Sequence, residues 1–397
     1  MNDVYQQLKN VYHYLQAQAW RARYGWPDRK LHIYGITGTN GKTTTAIVLA
    51  SILRQAHGKP SVGLLSTEYF WIGEEEETNN THMTSTDARL VFAKLQQMVS
   101  ANVTHLVLEL TSHALDQHRL AGLELEGAII TNITHEHLDY HGTMERLMAA
   151  KARIANYLQT GATLVVNGDD EWSQAAVELM HRRHHDLTVH EFTQAEAVKV
   201  KTPLTGAFNQ ENVLAASLVA RATGVSEEDI AAGVASVKQI PGRVDWLTHP
   251  KGFKVVVDFA LTADALERLY QALKPQVEGR LIAVFGAAGR RDRAKRPILT
   301  KLAARYVDEL ILTQDEPYDD PEEEIYSELE AGLIDATIPW QRIEDRRKAI
   351  AHALDLAGPG DVIAITGMGN YNTRMIGSQA IDWNDRKVVE ELFKEVT

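Results

Sequence analysis

Apolar positions along this chain switch repeatedly between two periods. Val4, Leu8, Tyr12 and Leu15, with Ala19 and Trp20 following, recur at helical spacing up to the turn Gly25-Trp26-Pro27-Asp28, which predicts one amphipathic helix within 1–30. A short apolar strand at 31–36 then gives way to a Gly-rich loop and an apolar helix over 44–53. Strand patterns return at 103–110, 127–131 and 162–166, with helical patterns at 88–99 and 143–157 between them. Strands alternating with helices predict a mostly parallel sheet covered on both faces. Residues 203–243 read as helix-rich, with 212–222 apolar on one face, and close on Pro241-Gly242-Arg243.

The alternation then restarts: strand 253–259, helix 263–273, strand 281–285, helix 299–306, and strands 309–313 and 361–365. The expected fold is therefore α/β: a P-loop central domain at 31–243 with a mostly parallel sheet, then a smaller Rossmann-like α/β domain at 244–397. A short helical segment at 1–30 precedes them. The acidic run at 74–77 falls between elements and reads as a solvated loop.

Composition narrows the classes. With 44% hydrophobic and 24% charged residues over 397 positions, the chain is globular, with length for two cores. No apolar stretch approaches the ~20 residues that span a bilayer. The start also lacks a signal peptide's basic and apolar regions, so no membrane span and a cytoplasmic location are expected. The absence of cysteine excludes thiol catalysis, disulfides and thiolate metal sites. A formal charge of −12 disfavours a nucleic-acid partner and requires a local basic pocket for any anionic substrate.

One segment supplies such a pocket. Thr37-Gly38-Thr39-Asn40-Gly41-Lys42-Thr43-Thr44 lies between a strand and a helix. Its glycines let backbone N–H groups converge on phosphate oxygens, the helix N-terminus adds positive field, Lys42 adds a point charge, and Thr43 can place its hydroxyl on Mg²⁺. Ile36 stands where the common pattern has its first glycine, so the loop reads as a variant built on Gly35 and Gly38. Glu109 ends a strand, where a carboxylate faces the ligand crevice of an open sheet or caps the next helix. His137 lies in Asn132-Ile133-Thr134-His135-Glu136-His137-Leu138-Asp139-Tyr140-His141, whose three histidines also suggest zinc. Lys151 sits on an apolar helix, either as a neutral amine with a lowered pKa or as a lysine snorkelling to water.

Several of these stretches share one resemblance. Gly38 to Thr44, Glu109-Leu-Thr-Ser112-His113-Ala114-Leu115, Thr131-Asn132-Ile-Thr134, His137-Leu-Asp139-Tyr140-His141-Gly142, Ala150-Lys151, Phe208-Asn209-Gln-Glu-Asn212 and Pro241-Gly242-Arg243 resemble the Mur ligase family. Their order and spacing are most similar to its muramyl-tripeptide synthetase branch. Asp258 to Asp264, Gly289 to Pro297, Asp345-Arg346 and Trp383-Asn-Asp385-Arg386 continue the likeness.

The resemblance implies a monomeric ligase of peptidoglycan precursor synthesis. It would use ATP and Mg²⁺ to join an amino acid to a UDP-linked muramyl dipeptide through an acyl phosphate. Thr39, Asn40, Gly41, Lys42, Thr43 and Thr44 would hold the phosphates, and Asn209, Asn212, Arg243 and Asp258 the rest of ATP. Thr43, Glu109, His137 and Lys151 would surround Mg²⁺, with Lys151 the family's carbamylated lysine. Ser85, Thr86, Ser112, Gln117 and Arg119 would contact the muramyl acceptor, and Asp315, Glu316 and Tyr318 the amino acid. A related ligase acting on a folyl or polymer acid, and an ATP-binding partner subunit without ligation, are the other readings.

Four departures stand out. The family's N-terminal uridine-gripping domain has no counterpart before Leu31, and the stretch at 189–204 is short. Leu261 and Ala263 replace a histidine and a proline. Asp315-Glu316-Pro317-Tyr318 lacks the carboxylate-clamping arginine of the diaminopimelate-adding enzymes, and Gly367-Met368-Gly369-Asn370-Tyr371 replaces Gly-Lys-Gly-His-Glu. Losing the arginine and gaining Glu316 predicts a preference for lysine, ornithine or a neutral amino acid over diaminopimelate, unless Glu316 is an exposed loop acid.

Overall fold

The computed structural model describes residues 3–81, 83–182, 184 and 186–395, with side chains from Gln6 onward. The chain divides into two compact units, Met1–Pro203 with Ala207–Lys238, and Leu204–Gly206 with Gln239–Thr397.

The first unit begins with α1 (Asp3–Arg23), β1 (His32–Thr37), α2 (Lys42–His57), β2 (Val62–Leu65), β3 (Tyr69–Ile72) and β4 (Glu75–Thr78). It continues through α3 (Ala88–Ser100), β5 (His105–Glu109), α4 (Ser112–Asp116), β6 (Leu125–Ile130), α5 (Leu138–His141) and α6 (Met144–Ala152). β7 (Leu158–Asn167), α7 (Glu171–His181), β8 (Thr188–Phe192), α8 (Gln194–Ala197), α9 (Ala207–Ala222) and α10 (Glu227–Ser236) complete it. The 8-stranded sheet runs β4-β3-β2-β5-β1-β6-β7-β8 and is parallel except where β3 and β4 fold back. Its central strands are covered on both faces, which their unbroken apolar runs require: Leu106-Val107-Leu108, Ala128-Ile129-Ile130 and Leu164-Val165-Val166 are all buried.

The helix α2 is buried almost all round from Thr43 to Leu53. Gly233 on α10 lets that helix reach α2, because a Cβ there would stand 2.4 Å from the Ile52 Cα.

Two expectations change here. The acidic run is an edge strand rather than a loop: β4 pairs with β3, while Glu76 meets Arg54 at 2.6 Å and Lys59 at 3.0 Å, and Glu77 pairs with Lys94. A row of acids on an outermost strand discourages further strand addition. The stripe that marks α1 as amphipathic also faces away from the body, with Leu8, Tyr12 and Leu15 exposed, while Val4 lies outside the described side chains. The opposite face holds α1 in place through buried Ala17, a buried Arg21–Asp28 pair at 2.7 Å, and amide bonds from Asn10 to Asp116 O and Gln18 to Ala121 O.

The second unit contains β9 (Asp245–Thr248), β10 (Lys254–Asp258), α11 (Ala263–Leu273), β11 (Leu281–Phe285), α12 (Lys295–Tyr306) and β12 (Glu309–Leu312). α13 (Glu322–Ala331), β13 (Trp340–Arg342), α14 (Arg346–Leu356), β14 (Val362–Thr366), the hairpin β15 (Thr373–Ile376) and β16 (Gln379–Asp382), and α15 (Asp385–Glu395) follow. Its 6-stranded sheet, β13-β12-β11-β14-β10-β9, is parallel but for β9. No helix among the described residues is long and apolar enough to cross a membrane.

Arg346 and Asp385 form a wholly buried ion pair at 2.7 Å, and Arg346 also donates to Thr366 O at 2.9 Å. Arg346→Met strands the Asp385 carboxylate, and denaturant unfolding is expected to show this unit destabilised by about 3–5 kcal/mol.

Candidate active site

Strand β1 ends at Thr37 and α2 starts at Lys42, so four residues make the connection. Gly38 (φ 145°) and Gly41 (φ 85°) take backbone conformations closed to most side chains. Space forbids a side chain as well: a Cβ on Gly38 would lie 1.9 Å from Thr131 Oγ1, and one on Gly41 2.2 Å from Asn212 Oδ1. Asn132 braces the loop, its carbonyl accepting Thr39 N–H and its Oδ1 accepting Asn40 N–H, each at 2.9 Å. Thr131 Oγ1 donates to Asn40 O at 2.6 Å. Gly41 caps α2 without a side chain, which leaves that helix end suited to an anion, and Thr43 and Thr44 lie buried in its first turn. Asn209 and Asn212 on α9 are joined at 3.2 Å and abut the loop at Gly41. Gly35 is not part of the loop. It sits inside β1, where a Cβ would stand 2.7 Å from Leu125 Cδ1.

Two lysines converge on one carbonyl. Lys42 Nζ donates to Gly38 O at 3.1 Å and Thr39 O at 2.8 Å, and Lys151 Nζ donates to the same Gly38 O at 2.5 Å. Lys151 is 1% exposed, so it does not snorkel. Burial, and then the Lys42 charge, bring its pKa down to about 7 against the opposing pull of Glu136 and Asp170. A substantial fraction is therefore neutral amine near pH 7.

Glu109 closes β5 opposite Ile36 of β1 and is fully buried. Its Oε2 accepts Thr67 N–H at 3.1 Å and Thr67 Oγ1–H at 2.6 Å, while Oε1 has no hydrogen-bond partner. It does not cap the next helix, because Thr111 Oγ1 does so by accepting Ala114 N–H. A buried carboxylate oxygen left unpaired is costly and suits a cation.

His137 takes a left-handed backbone (φ 53°) at the start of α5, with its Nε2 3.5 Å from Glu136 Oε1. Its ring meets His113 edge-on at 4.8 Å, and His113 also packs on Tyr140 and His141. These histidines pack edge-on or tilted against one another, and among the described residues no group of three or more His, Asp or Glu is placed to hold a metal. The zinc reading therefore gains nothing. Burial first, then His137, His141 and Arg119, draw the His113 pKa down to about 3, which keeps it neutral. His141 is lowered to about 4, chiefly by burial, and feels both His137 and Lys151.

Three of the residues assigned to an acceptor, Ser85, Gln117 and Arg119, form one network. Ser85 Oγ donates to Glu109 O at 3.1 Å and accepts Thr111 N–H at 2.9 Å. Arg119 donates to Ser85 O at 3.3 Å and to Gln117 Oε1 at 2.8 Å, and Gln117 donates to the Tyr140 hydroxyl at 3.1 Å. That hydroxyl donates to Asp116 at 2.9 Å, and Ser112 Oγ lies 2.9 Å from His141 Nε2. Thr86, beside Ser85, is buried. Sequence reasoning gave no role to Thr67, His113, Asp116 or Tyr140. His113 and Tyr140 stand within motif stretches, whereas Thr67 carries no signal.

The remaining candidates lie in the second unit. Asp258 ends β10 and accepts N–H bonds from Val244 and Ala260, each at 2.7 Å, while burial raises its pKa. Arg243 stacks on Phe259 at 4.5 Å. Leu261, where the family resemblance has histidine, offers its carbonyl to Lys295 Nζ at 3.1 Å. Asp315 Oδ1 accepts Glu316 N–H at 2.7 Å; Glu316 accepts from Met375 N–H at 3.1 Å and from the Tyr318 hydroxyl at 3.3 Å. Glu316 is only 6% exposed, so it is not an exposed loop acid. Burial, then the Asp315 charge, push its pKa up.

Comparison with known proteins points to one family. Residues 36–192 match the Mur ligase middle domain, and 242–369 the Mur ligase, glutamate ligase domain. The chain is 33% identical to the UDP-N-acetylmuramoyl-L-alanyl-D-glutamate--2,6-diaminopimelate ligase of Geobacillus kaustophilus, with 94% of this chain and 81% of that one covered. It is 36% identical, over the same shares of 94% and 81%, to the UDP-N-acetylmuramyl-tripeptide synthetase of Roseiflexus sp.. A solved UDP-N-acetylmuramoyl-L-alanyl-D-glutamate--2,6-diaminopimelate ligase matches with a TM-score of 0.62 at 27% identity, covering 98% of this chain and 83% of that one. Mycobacterium tuberculosis folylpolyglutamate synthase, complexed with ADP, shares the fold at a TM-score of 0.71 and 19% identity over 89% of this chain and 91% of its own. By its glycine loop, its two matched domains and these relatives, the chain belongs to the Mur ligase family.

Proposed function

We propose that this chain is an ATP-dependent ligase that joins an amino acid to UDP-N-acetylmuramoyl-L-alanyl-D-glutamate. The observation that carries the reading is the convergence of Lys42 and Lys151 on the Gly38 carbonyl in the first unit, which also buries Glu109 with one oxygen unpaired. The glycine loop and Lys42 bind the phosphates, and Thr43, Glu109, His137 and a Lys151 carbamate hold Mg²⁺. When bound, Mg²⁺ offsets charge on the transferring phosphoryl oxygens.

The chain's own groups do the rest. The Ser85–Arg119–Gln117–Tyr140 network orients the acceptor so that its carboxylate presents to the loop. Neutral His113 packs edge-on against the His137 ring and brings no positive charge beside it. Asn209, Asn212, Arg243 and Asp258 are the ATP contacts that the family resemblance assigns. Relatives at 33% and 36% identity are named for the muramyl acceptor, which favours it over a folyl one.

Phosphate release tests the proposal. It is expected to require ATP, Mg²⁺, acceptor and amino acid together; failure to release phosphate with every amino acid of a broad panel, from folded protein that binds ATP, would favour the binding-subunit reading.

For the amino acid, the adjacent buried acids Asp315 and Glu316 are the proposed contacts. Lysine, ornithine or a neutral amino acid is therefore the proposed substrate rather than diaminopimelate, whose second carboxylate meets Glu316. Competition assays are expected to favour lysine, and Glu316→Gln to shrink that preference about tenfold, the worth of one charged hydrogen bond. Faster diaminopimelate incorporation would refute this assignment.

A further inference from the structure

Helix α1 carries two stripes on opposite sides. The inward one, Gln6, Asn10, Ala17 and Trp20, is tied to the body through Tyr140, Asp116 and the core. The outward one runs Leu8, Tyr12, Leu15, Ala19 and Ala22, at alternating steps of four and three residues, with Val11 alongside. Its large members are bare: Leu8 is 66% exposed, Val11 56%, Tyr12 60% and Leu15 61%. Scattered surface leucines need no explanation, but a continuous apolar row with a helical period does.

We propose that this row is the seam of an antiparallel helix pair between two copies of the chain, with a two-fold axis at Leu15. A repeat averaging 3.5 residues forms one continuous stripe along the helix, the kind of seam that a second helix packs against. The order of residue sizes selects the same helix from a second copy. With Leu15 against itself, Leu8 faces Ala22 and Tyr12 faces Ala19, so bulk meets space on either side of a central leucine pair. A parallel pair would crowd Leu8 and Tyr12 at one end and leave alanines facing alanines at the other. The inward bonds from Gln6, Asn10, Gln18 and Arg21 hold α1 so that this row cannot roll onto its own body.

Charge refines the picture. Lys9 and Arg23 flank the row and are exposed, and the antiparallel arrangement brings each toward the other's counterpart at the rim. That mild repulsion, and the net charge of −12, are screened by salt, so association strengthens with ionic strength. The dimer departs from the single copy that the family resemblance implies, and it does not depend on the proposed reaction.

Light scattering on the eluting full chain tests this. The mass is expected to rise from one copy of 44.3 kDa toward two as concentration increases, with several-fold tighter association at high salt. Leu15→Glu yields single copies at every concentration, with thermal unfolding matching that of the unaltered chain at concentrations where it too is a single copy, because the position is exposed there. Arg23→Glu turns the rim repulsion into attraction and tightens the dimer at low salt. The chain has no cysteine, so introduced ones report the pairing alone. Under mild oxidation Leu15→Cys links two copies and Leu8→Cys does not, whereas Leu8→Cys with Ala22→Cys does. A single-copy mass up to the highest soluble concentration, a dimer indifferent to Leu15→Glu, or linking through Leu8→Cys alone would overturn the proposal.

Discussion

Replacing Lys151 with alanine is expected to lower the rate of phosphate release about 10²–10³-fold, the usual cost of removing one preorganised charged group from such a site. The amine is fully buried and shares the Gly38 carbonyl with Lys42, so a permanent second cation there is unfavourable. A pKa of about 7 leaves neutral amine to add CO₂, releasing a proton and forming a carbamate. If the carbamate is the working form, acetate or propionate added to Lys151→Ala restores part of the activity, while small amines do not. Rescue by amines instead would show that the ammonium is what matters.

The same burial has a sign that stability can read. The lysine proton is held less tightly in the folded chain than in the unfolded one, so the cost of burying the charge is full below about pH 7 and declines as pH rises toward the ordinary lysine value. In bicarbonate-free buffer, Lys151→Met is therefore expected to raise the melting temperature more at pH 6 than at pH 9. An equal change at both pH values would contradict the assigned titration.

Lys42→Met is the second large effect, again about 10²–10³-fold in kcat/KM and with weaker ATP binding. Its ammonium lies on the Gly38 and Thr39 carbonyls, beside the glycines whose conformation shapes the loop. Removing it also lifts a repulsion from Lys151, so the Lys151 pKa rises and less of it is neutral at pH 7. The Lys42→Met variant should consequently need a higher pH for whatever activity remains. A pH profile identical to that of the unaltered chain would separate the two lysines.

The chain's letters reveal those parts of the fold that rest on period and local chemistry. The alternating elements, the glycine loop and Glu109 at a strand's carboxyl end all follow from pattern, because a buried parallel strand must be continuously apolar and a phosphate loop must admit backbone close to its ligand. Other features depend on which surfaces meet. Gly35 looks like loop punctuation but makes room for Leu125 and Leu110 inside β1. The acids at 74–77 resemble a loop, yet the strand that Phe70 and Trp71 begin turns back and pairs with them. Lys151 resembles any lysine on a short helix until the Gly38 carbonyl is found beside it. The row on α1 has the period of a buried face and is bare, because the body grips the other side. Thr67 holds Glu109 from 42 positions away, a contact that no local pattern announces.

The most direct test is a crystal structure of the full chain with a non-hydrolysable ATP analogue and Mn²⁺, which marks its position by anomalous scattering. The account predicts a metal peak in contact with both Glu109 and His137, beside the Lys151 carbamate, with the phosphates along the loop at Lys42. Phosphates in that loop with Mn²⁺ away from Glu109, or the nucleotide bound elsewhere, would contradict it.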